Sequence, residues 1–189
     1  DGEFFGNGFD AWWCDCTEPL DADWRPMSEG YGWDSHEERW KGNLALLDGV
    51  LGAERSSLFS LYHSKGLYEN QRATTDRKRV VNLTRSSYAG QQRYSTITWN
   101  GDTHASWKSF AQQIPQGLNF MATGCPYWTV DIGSFFTRKG REWFRAGDFD
   151  AGVDDMGYRE YYVRMLQYGA FLPLFRSHGT DTPREIWRF

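Results

Sequence analysis

Short apolar runs and helix-spaced apolar residues take turns along this 189-residue chain. Five runs are compact and rich in apolar residues, as strands covered on both faces of a parallel sheet should be. They are Phe9 to Asp15, Arg79 to Arg85, Ser95 to Trp99, Tyr127 to Asp131 and Leu172 to His178. Between most of them the spacing changes to that of a helix. Leu58, Leu61 and Tyr62 mark a helical stretch from about Arg55 to Thr74. Trp107, Phe110, Ala111 and Ile114 follow i, i+3, i+4, i+7, and Pro115 is expected to kink or end that helix. Tyr158, Tyr161, Tyr162, Met165 and Gly169 repeat the pattern before the last run.

Strands alternating with helices, without an internal repeat, predict an α/β fold with a parallel sheet. Polar residues at strand C-termini form the active sites of such folds. Asp15, Arg85, Trp99, Asp131 and His178 end or nearly end the five runs, so a barrel would gather them at one mouth. A (β/α)8 barrel has eight strands in typically about 250 residues. Residues 1–189 are therefore expected to be a single, incomplete TIM-barrel domain carrying about the last five strands. Leu20 to Gly42, with Trp24, Tyr31, Trp33 and Trp40, and Arg138 to Asp155 are expected to be loops.

Composition narrows the function classes. Net charge is −4 and Lys and Arg form no stripe, so a nucleic-acid partner is not expected. No apolar run approaches the roughly 18 residues of a membrane span. The chain opens on Asp rather than Met, so its own start is expected upstream and a secretion signal cannot be judged. Cys14, Cys16 and Cys125 are too sparse for a disulfide framework, and Cys-x-Cys lacks the spacer of a zinc knuckle. On a strand both nearby sulfurs would point away from the face of Asp15, which makes them packing residues. His36, His63 and His104 show no metal-ligand spacing, and no metal or organic cofactor is expected. Asn82-Leu83-Thr84 matches a glycosylation acceptor but falls inside a predicted strand, where packing is the better reading.

The aromatic content, 10 Trp, 10 Tyr and 13 Phe, exceeds what a core of this size requires and fits a carbohydrate site. Two runs sharpen that reading. Trp12 to Pro19 and Trp99 to Asp102 each set a carboxylate among aromatic residues near a strand end. Cleaving a glycosidic bond takes two carboxyl groups, one at the anomeric carbon and one protonating the departing oxygen. Aromatic neighbours give flat faces for a sugar and a low local dielectric. Taken alone, Asp102 could equally be the N-cap of the following helix, an Arg and an Asp at neighbouring strand ends could form a structural ion pair, and Trp99 and Phe135 could be core.

The motifs resemble those of family 31 glycoside hydrolases, which include α-glucosidases and α-xylosidases. Trp13-Cys14-Asp15-Cys16-Thr17-Glu18 is similar to the family's nucleophile motif. Arg85-Ser86-Ser87, with Gly90 and then Trp99-Asn100-Gly101-Asp102, is similar to its arginine and acid/base block. Tyr127 to Phe135 resembles the strand with a sugar-binding Asp, and Phe175 to Gly179 the last strand with a sugar-binding His. Ser134 departs from the pattern where a second Gly is usual, and Asn100 where a small residue is common.

The resemblance implies Asp15 as nucleophile and Asp102 as acid/base of a retaining α-glycosidase, with α-linked oligosaccharides as substrates. Trp13, Arg85, Trp99, Asp131, Phe135 and His178 would contact the sugar, and Glu18 would orient its loop. A non-catalytic sugar-binding relative, or an α-transglycosylase using the same residues, are the alternatives. The family's earlier barrel strands and flanking β-sandwich domains are expected outside this chain.

Overall fold

The computed structural model describes residues 2–18, 36–140 and 144–189. The chain divides into two compact units, Asp1–Thr96 and Ile97–Phe189. Nine helices and strands are present among the described residues: α1 (Gly2–Gly6), β1 (Trp12–Cys14), α2 (His36–Leu51), α3 (Phe59–Thr74), β2 (Asn82–Thr84), β3 (Thr96–Trp99), α4 (Trp107–Ala122), β4 (Trp128–Thr129) and α5 (Met156–Gly169). No helix among them is long and apolar enough to cross a membrane.

In the first unit β1 and β2 run parallel, Trp12 beside Asn82, Trp13 beside Leu83 and Cys14 beside Thr84. The interior here is largely polar. Gln91, buried, donates through Nε2 to Ser64 Oγ at 3.0 Å and to the Ser86 carbonyl at 3.1 Å, tying α3 to the end of β2. Trp12 Nε1 donates to Gln71 Oε1 of α3 at 3.1 Å. Asn82, Leu83 and Thr84 are all buried, which fits their reading as packing rather than a glycan acceptor.

In the second unit β3 and β4 are parallel, Thr98 beside Trp128 and Trp99 beside Thr129. Helix α5 lays Tyr158, Tyr161, Tyr162 and Met165 against Trp128, Val130, Ile132 and Phe149 in one buried aromatic cluster. The helix spacing seen in the sequence is this buried face. Asp155 caps α5 by accepting from the Gly157 and Tyr158 amides.

Several expectations need correction. Leu172 to His178 is not a fifth strand; four parallel strands are present among the described residues. The backbone of the segment meets β4's continuation at the Ile132–Ser177 bridge and through Ile132 N donating to Arg176 O, and side chains of Thr129, Arg176 and Ser177 add further bonds. Pro173 lacks the amide a ladder needs, which works against regular pairing at its start. Pro115 does not end α4, which continues to Ala122. Ala111, whose carbonyl loses its partner, is exposed and can bond water instead.

Residues 36–42, expected in a loop, belong to α2, and Trp40 lies on that helix. Trp24, Tyr31 and Trp33 lie outside the described residues. The Arg138–Asp155 region is mostly irregular, with a Lys139–Ala146 bridge and a short turn at Gly152–Asp154.

Candidate active site

Each unit presents a cluster at the C-terminal ends of its strands. In the first, β1 stops at Cys14 and the chain turns sharply, because Cys16 adopts a left-handed conformation with φ 51°. The turn brings the Cys16 amide to Asp15 Oδ1 at 2.7 Å. Arg85, just past β2, reaches back with Nη1 to the same Asp15 oxygen at 3.1 Å. Its Nε is paired with Glu18 Oε1, and its Nη2 lies 3.3 Å from Cys16 Sγ. Cys16 therefore does not point away from Asp15 as strand alternation predicts. The left-handed turn breaks the alternation and puts thiol and carboxylate on one guanidinium.

Thr17 locks this arrangement. Its buried Oγ1 accepts from the amides of Arg85 (3.2 Å) and Ser86 (2.9 Å), and Ser86 Oγ donates to the Thr17 carbonyl at 2.9 Å. The loop after β1 is thereby fastened to the end of β2. Trp13, on the preceding strand, is exposed. Burial pushes Glu18 above the usual carboxylate range, although Arg85 pulls it the other way.

The second cluster follows β3. Gly101 takes φ 75° and Asp102 comes next, exposed, on a loop held at its far side. The Thr103 carbonyl accepts from the amides of Phe135 (2.9 Å) and Phe136 (3.0 Å), and the Ala105 amide donates to Phe136 O at 2.8 Å. Asp102 is not the cap of α4: Ser106 fills that role, accepting from the Ser109 amide at 3.1 Å. The ordinary explanation for a carboxylate at this position is thus removed.

Beyond β4, Asp131 is 0% exposed and takes Arg176 Nη1 at 2.6 Å. The same guanidinium lies 5.3 Å from the centroid of Trp99, itself 2% exposed. Asp131 and Trp99, expected to contact the sugar, are both buried and joined through Arg176, which sequence reasoning gave no role. Its position two residues before His178, in an extended run, was the available signal.

The chain next turns through Gly133 (φ 91°) and Ser134 (φ 59°) to present Phe135, whose ring lies 5.5 Å from that of His178. Ser134 holds a conformation that favours glycine at a cost of about 1–2 kcal/mol. In return its buried Oγ lies 2.7 Å from the Tyr161 hydroxyl. A hydrogen bond of this kind contributes about 0.5–1.5 kcal/mol net, which offsets part of the strain.

His63 lies within α3. His104 is at the bridge to Phe136. Only the helix position of His36 is described.

Comparison with known proteins gives the family and the fold. The sequence model of one family, described as the glycosyl hydrolases family 31 TIM-barrel domain, matches residues 2–189. An α-xylosidase of Saccharolobus solfataricus is 38% identical over 98% of the chain, and α-xylosidase A of Aspergillus niger 32% identical over 95%. The chain spans only 22% and 24% of those two proteins' lengths. Among solved structures, an α-xylosidase of the same family from Xanthomonas citri superposes with TM-score 0.68 at 32% identity, over 98% of this chain and 18% of that one. A dextranase of the family from Flavobacterium johnsoniae, complexed with glucose, gives TM-score 0.69 at 27% identity, over 100% of this chain and 21% of that one.

Proposed function

Because the chain belongs to glycosyl hydrolase family 31, we propose that it carries the catalytic carboxylates of a retaining α-glycosidase acting on terminal α-linked xylosyl or glucosyl residues. Asp15 attacks the anomeric carbon, and Asp102 protonates the departing oxygen. Asp102 then takes a proton from the water that releases the sugar. Atoms balance over the two steps: the glycosidic C–O bond gives way to an ester with Asp15, and water replaces that ester. No metal or organic cofactor enters the mechanism.

The observation that carries the reading is the seat of Asp15. Its Oδ1 is held by both the Cys16 amide and Arg85, so Oδ2 is the oxygen assigned to attack. Trp13, Phe135 and His178 are assigned to the sugar, and Arg85 to both Asp15 and a sugar hydroxyl. Asp131 and Trp99 are assigned to the same subsite, held by Arg176. Xylose stands first among substrates because two relatives above 30% identity and near-complete coverage of this chain are named α-xylosidases, against a third, 32% identical over 96% of the chain, that is named a family 31 glucosidase. A named α-glucosidase of Saccharolobus solfataricus is 29% identical.

The test uses the full protein on aryl α-xyloside, α-glucoside and α-galactoside, ranked by kcat/KM. Asp15→Ala should lower kcat on the best substrate by roughly 10⁴-fold or more, as loss of a nucleophile does elsewhere. Turnover undiminished in that variant would remove Asp15 from its role. A retaining mechanism further requires the two carboxyl groups roughly 5–5.5 Å apart. The anomeric configuration of the first product, read by NMR, should match the substrate's.

A further inference from the structure

Arg184 sits beyond the last motif and outside every role given so far. Its Nη2 donates to the carbonyls of Ser134 (2.7 Å) and Thr180 (3.0 Å) and lies 3.3 Å from that of Phe135. Its Nη1 donates to Thr182 O at 2.7 Å. The guanidinium carbon is 5.5 Å from the Tyr158 ring centroid. Arg184's own carbonyl accepts from Tyr162 Oη at 2.8 Å, which anchors the residue to α5.

Those carbonyls belong to two different loops. Ser134 and Phe135 are on the turn after β4, and Thr180 follows His178. The same segments are also joined by Thr180 N to Phe135 O at 2.9 Å, Ser177 Oγ to Ile132 O at 3.1 Å and Thr137 N to Asp181 Oδ2 at 3.2 Å. No regular strand ladder links them, and among these ties the guanidinium alone reaches the carbonyls of Ser134 and Thr180 together. A planar fork can hold Thr182 from one nitrogen and both loops from another, a spread of fixed donors that the single nitrogen of an ammonium does not have. The join is tight. A Cβ on Gly179 would stand 2.5 Å from Arg184 Nη2 and 2.6 Å from Ser134 O. One on Gly133 would stand 2.8 Å from Tyr158 Oη and 3.0 Å from Arg184 Nε.

We propose that Arg184 is a positioning residue that fixes the Phe135 ring against the His178 imidazole, and through them the affinity for the sugar ring. The inference rests on the glycosidase reading, which assigns Phe135 and His178 to the sugar. Arg184 touches no substrate; it sets the separation of two groups that do. These two groups bind the ring in ground state and transition state alike, so their displacement should raise KM more than it lowers kcat.

The experiment compares Arg184→Lys and Gly179→Ala with wild type in the full protein, each first shown to be folded by circular dichroism. The two variants disturb the tie from opposite sides, one by removing the fork and one by wedging it. Steady-state kinetics use whichever aryl α-glycoside the wild type hydrolyses best, with inhibition by the matching free sugar. KM and the inhibition constant should rise together roughly tenfold in both variants, with kcat within about threefold. A fall in thermal stability with both constants unmoved would overturn the proposal, as would a loss confined to kcat. Wild-type protein without turnover on any α-glycoside would defeat the glycosidase reading and this inference with it. Wild-type turnover beside unmoved constants defeats this inference alone.

Discussion

At the end of β1 one guanidinium serves two carboxylates in different surroundings. The Asp15 side chain is 44% exposed, that of Glu18 25%, and Arg85 beneath them 11%. Burial outweighs the pull of Arg85 on Glu18 and leaves its pKa raised. A carboxyl whose folded pKa is raised binds its proton more tightly in the native state than in the unfolded one. Its stabilising effect is complete below the ordinary carboxylate range and is lost as pH rises through the raised value. Glu18→Gln should therefore flatten the fall in Tm across mildly acidic pH, measured by thermal melts of the full protein in buffers from pH 4 upward. An unchanged slope would show that Glu18 does not titrate in this window. The identity of these residues was legible in the sequence, because Asp15, Glu18 and Arg85 all stand in recognisable runs. Their contacts were not. The left-handed turn at Cys16 carries no mark in a Cys-Asp-Cys string, and it decides which side chains share the guanidinium.

At the scale of elements, α4 comes close to the strand layer through a glycine. A Cβ on Gly117 would stand 2.8 Å from Trp128 Nε1 and 2.9 Å from its Cδ1. The indole is buried and cannot swing aside cheaply. Ala is the better helix former by about 0.8–1.0 kcal/mol. Overpacking against a rigid neighbour costs about 1–3 kcal/mol. Gly117→Ala should thus be destabilising by about 1 kcal/mol in urea titrations of the full protein, and a stabilised variant would refute the packing described. Helix α5 was legible because its helix-spaced Tyr158, Tyr161, Tyr162 and Met165 are its buried face. Helices α3 and α4 have the predicted spacing but bury Ser60, Ser64 and Gln71, and Ser109, Gln113 and Gly117, leaving Tyr62, Trp107 and Ile114 exposed. Helix α2 was not legible, since Gly42 and Gly49 interrupt it and Trp40 lies exposed. The segment after Leu172 read as a strand from its apolar content. Pro173 and the single bridge at Ser177 explain why content alone misled.

At the scale of the whole molecule, the two units differ in what holds them. The first has a polar interior in which Ser64, Gln71, Thr84 and Gln91 make side-chain hydrogen bonds; the second has the aromatic cluster around Tyr158 and Tyr161. Large apolar side chains are also left bare, with Phe171 90% exposed and Trp187 79%. Expressed alone, residues 1–189 should lack a single cooperative transition, giving a calorimetric enthalpy unequal to the van't Hoff value. One sharp two-state melt would overturn this. The parallel α/β class could be read from alternation, whereas the number of strands depends on pairing that no single segment encodes. Ser134 and Tyr161 carry a last consequence. The two hydroxyls meet in the dry interior, where the serine's also lies 3.7 Å from Met165 Sδ. The two positions should therefore drift as a couple, glycine at one beside phenylalanine at the other, since a change at either alone gives up the bond they share.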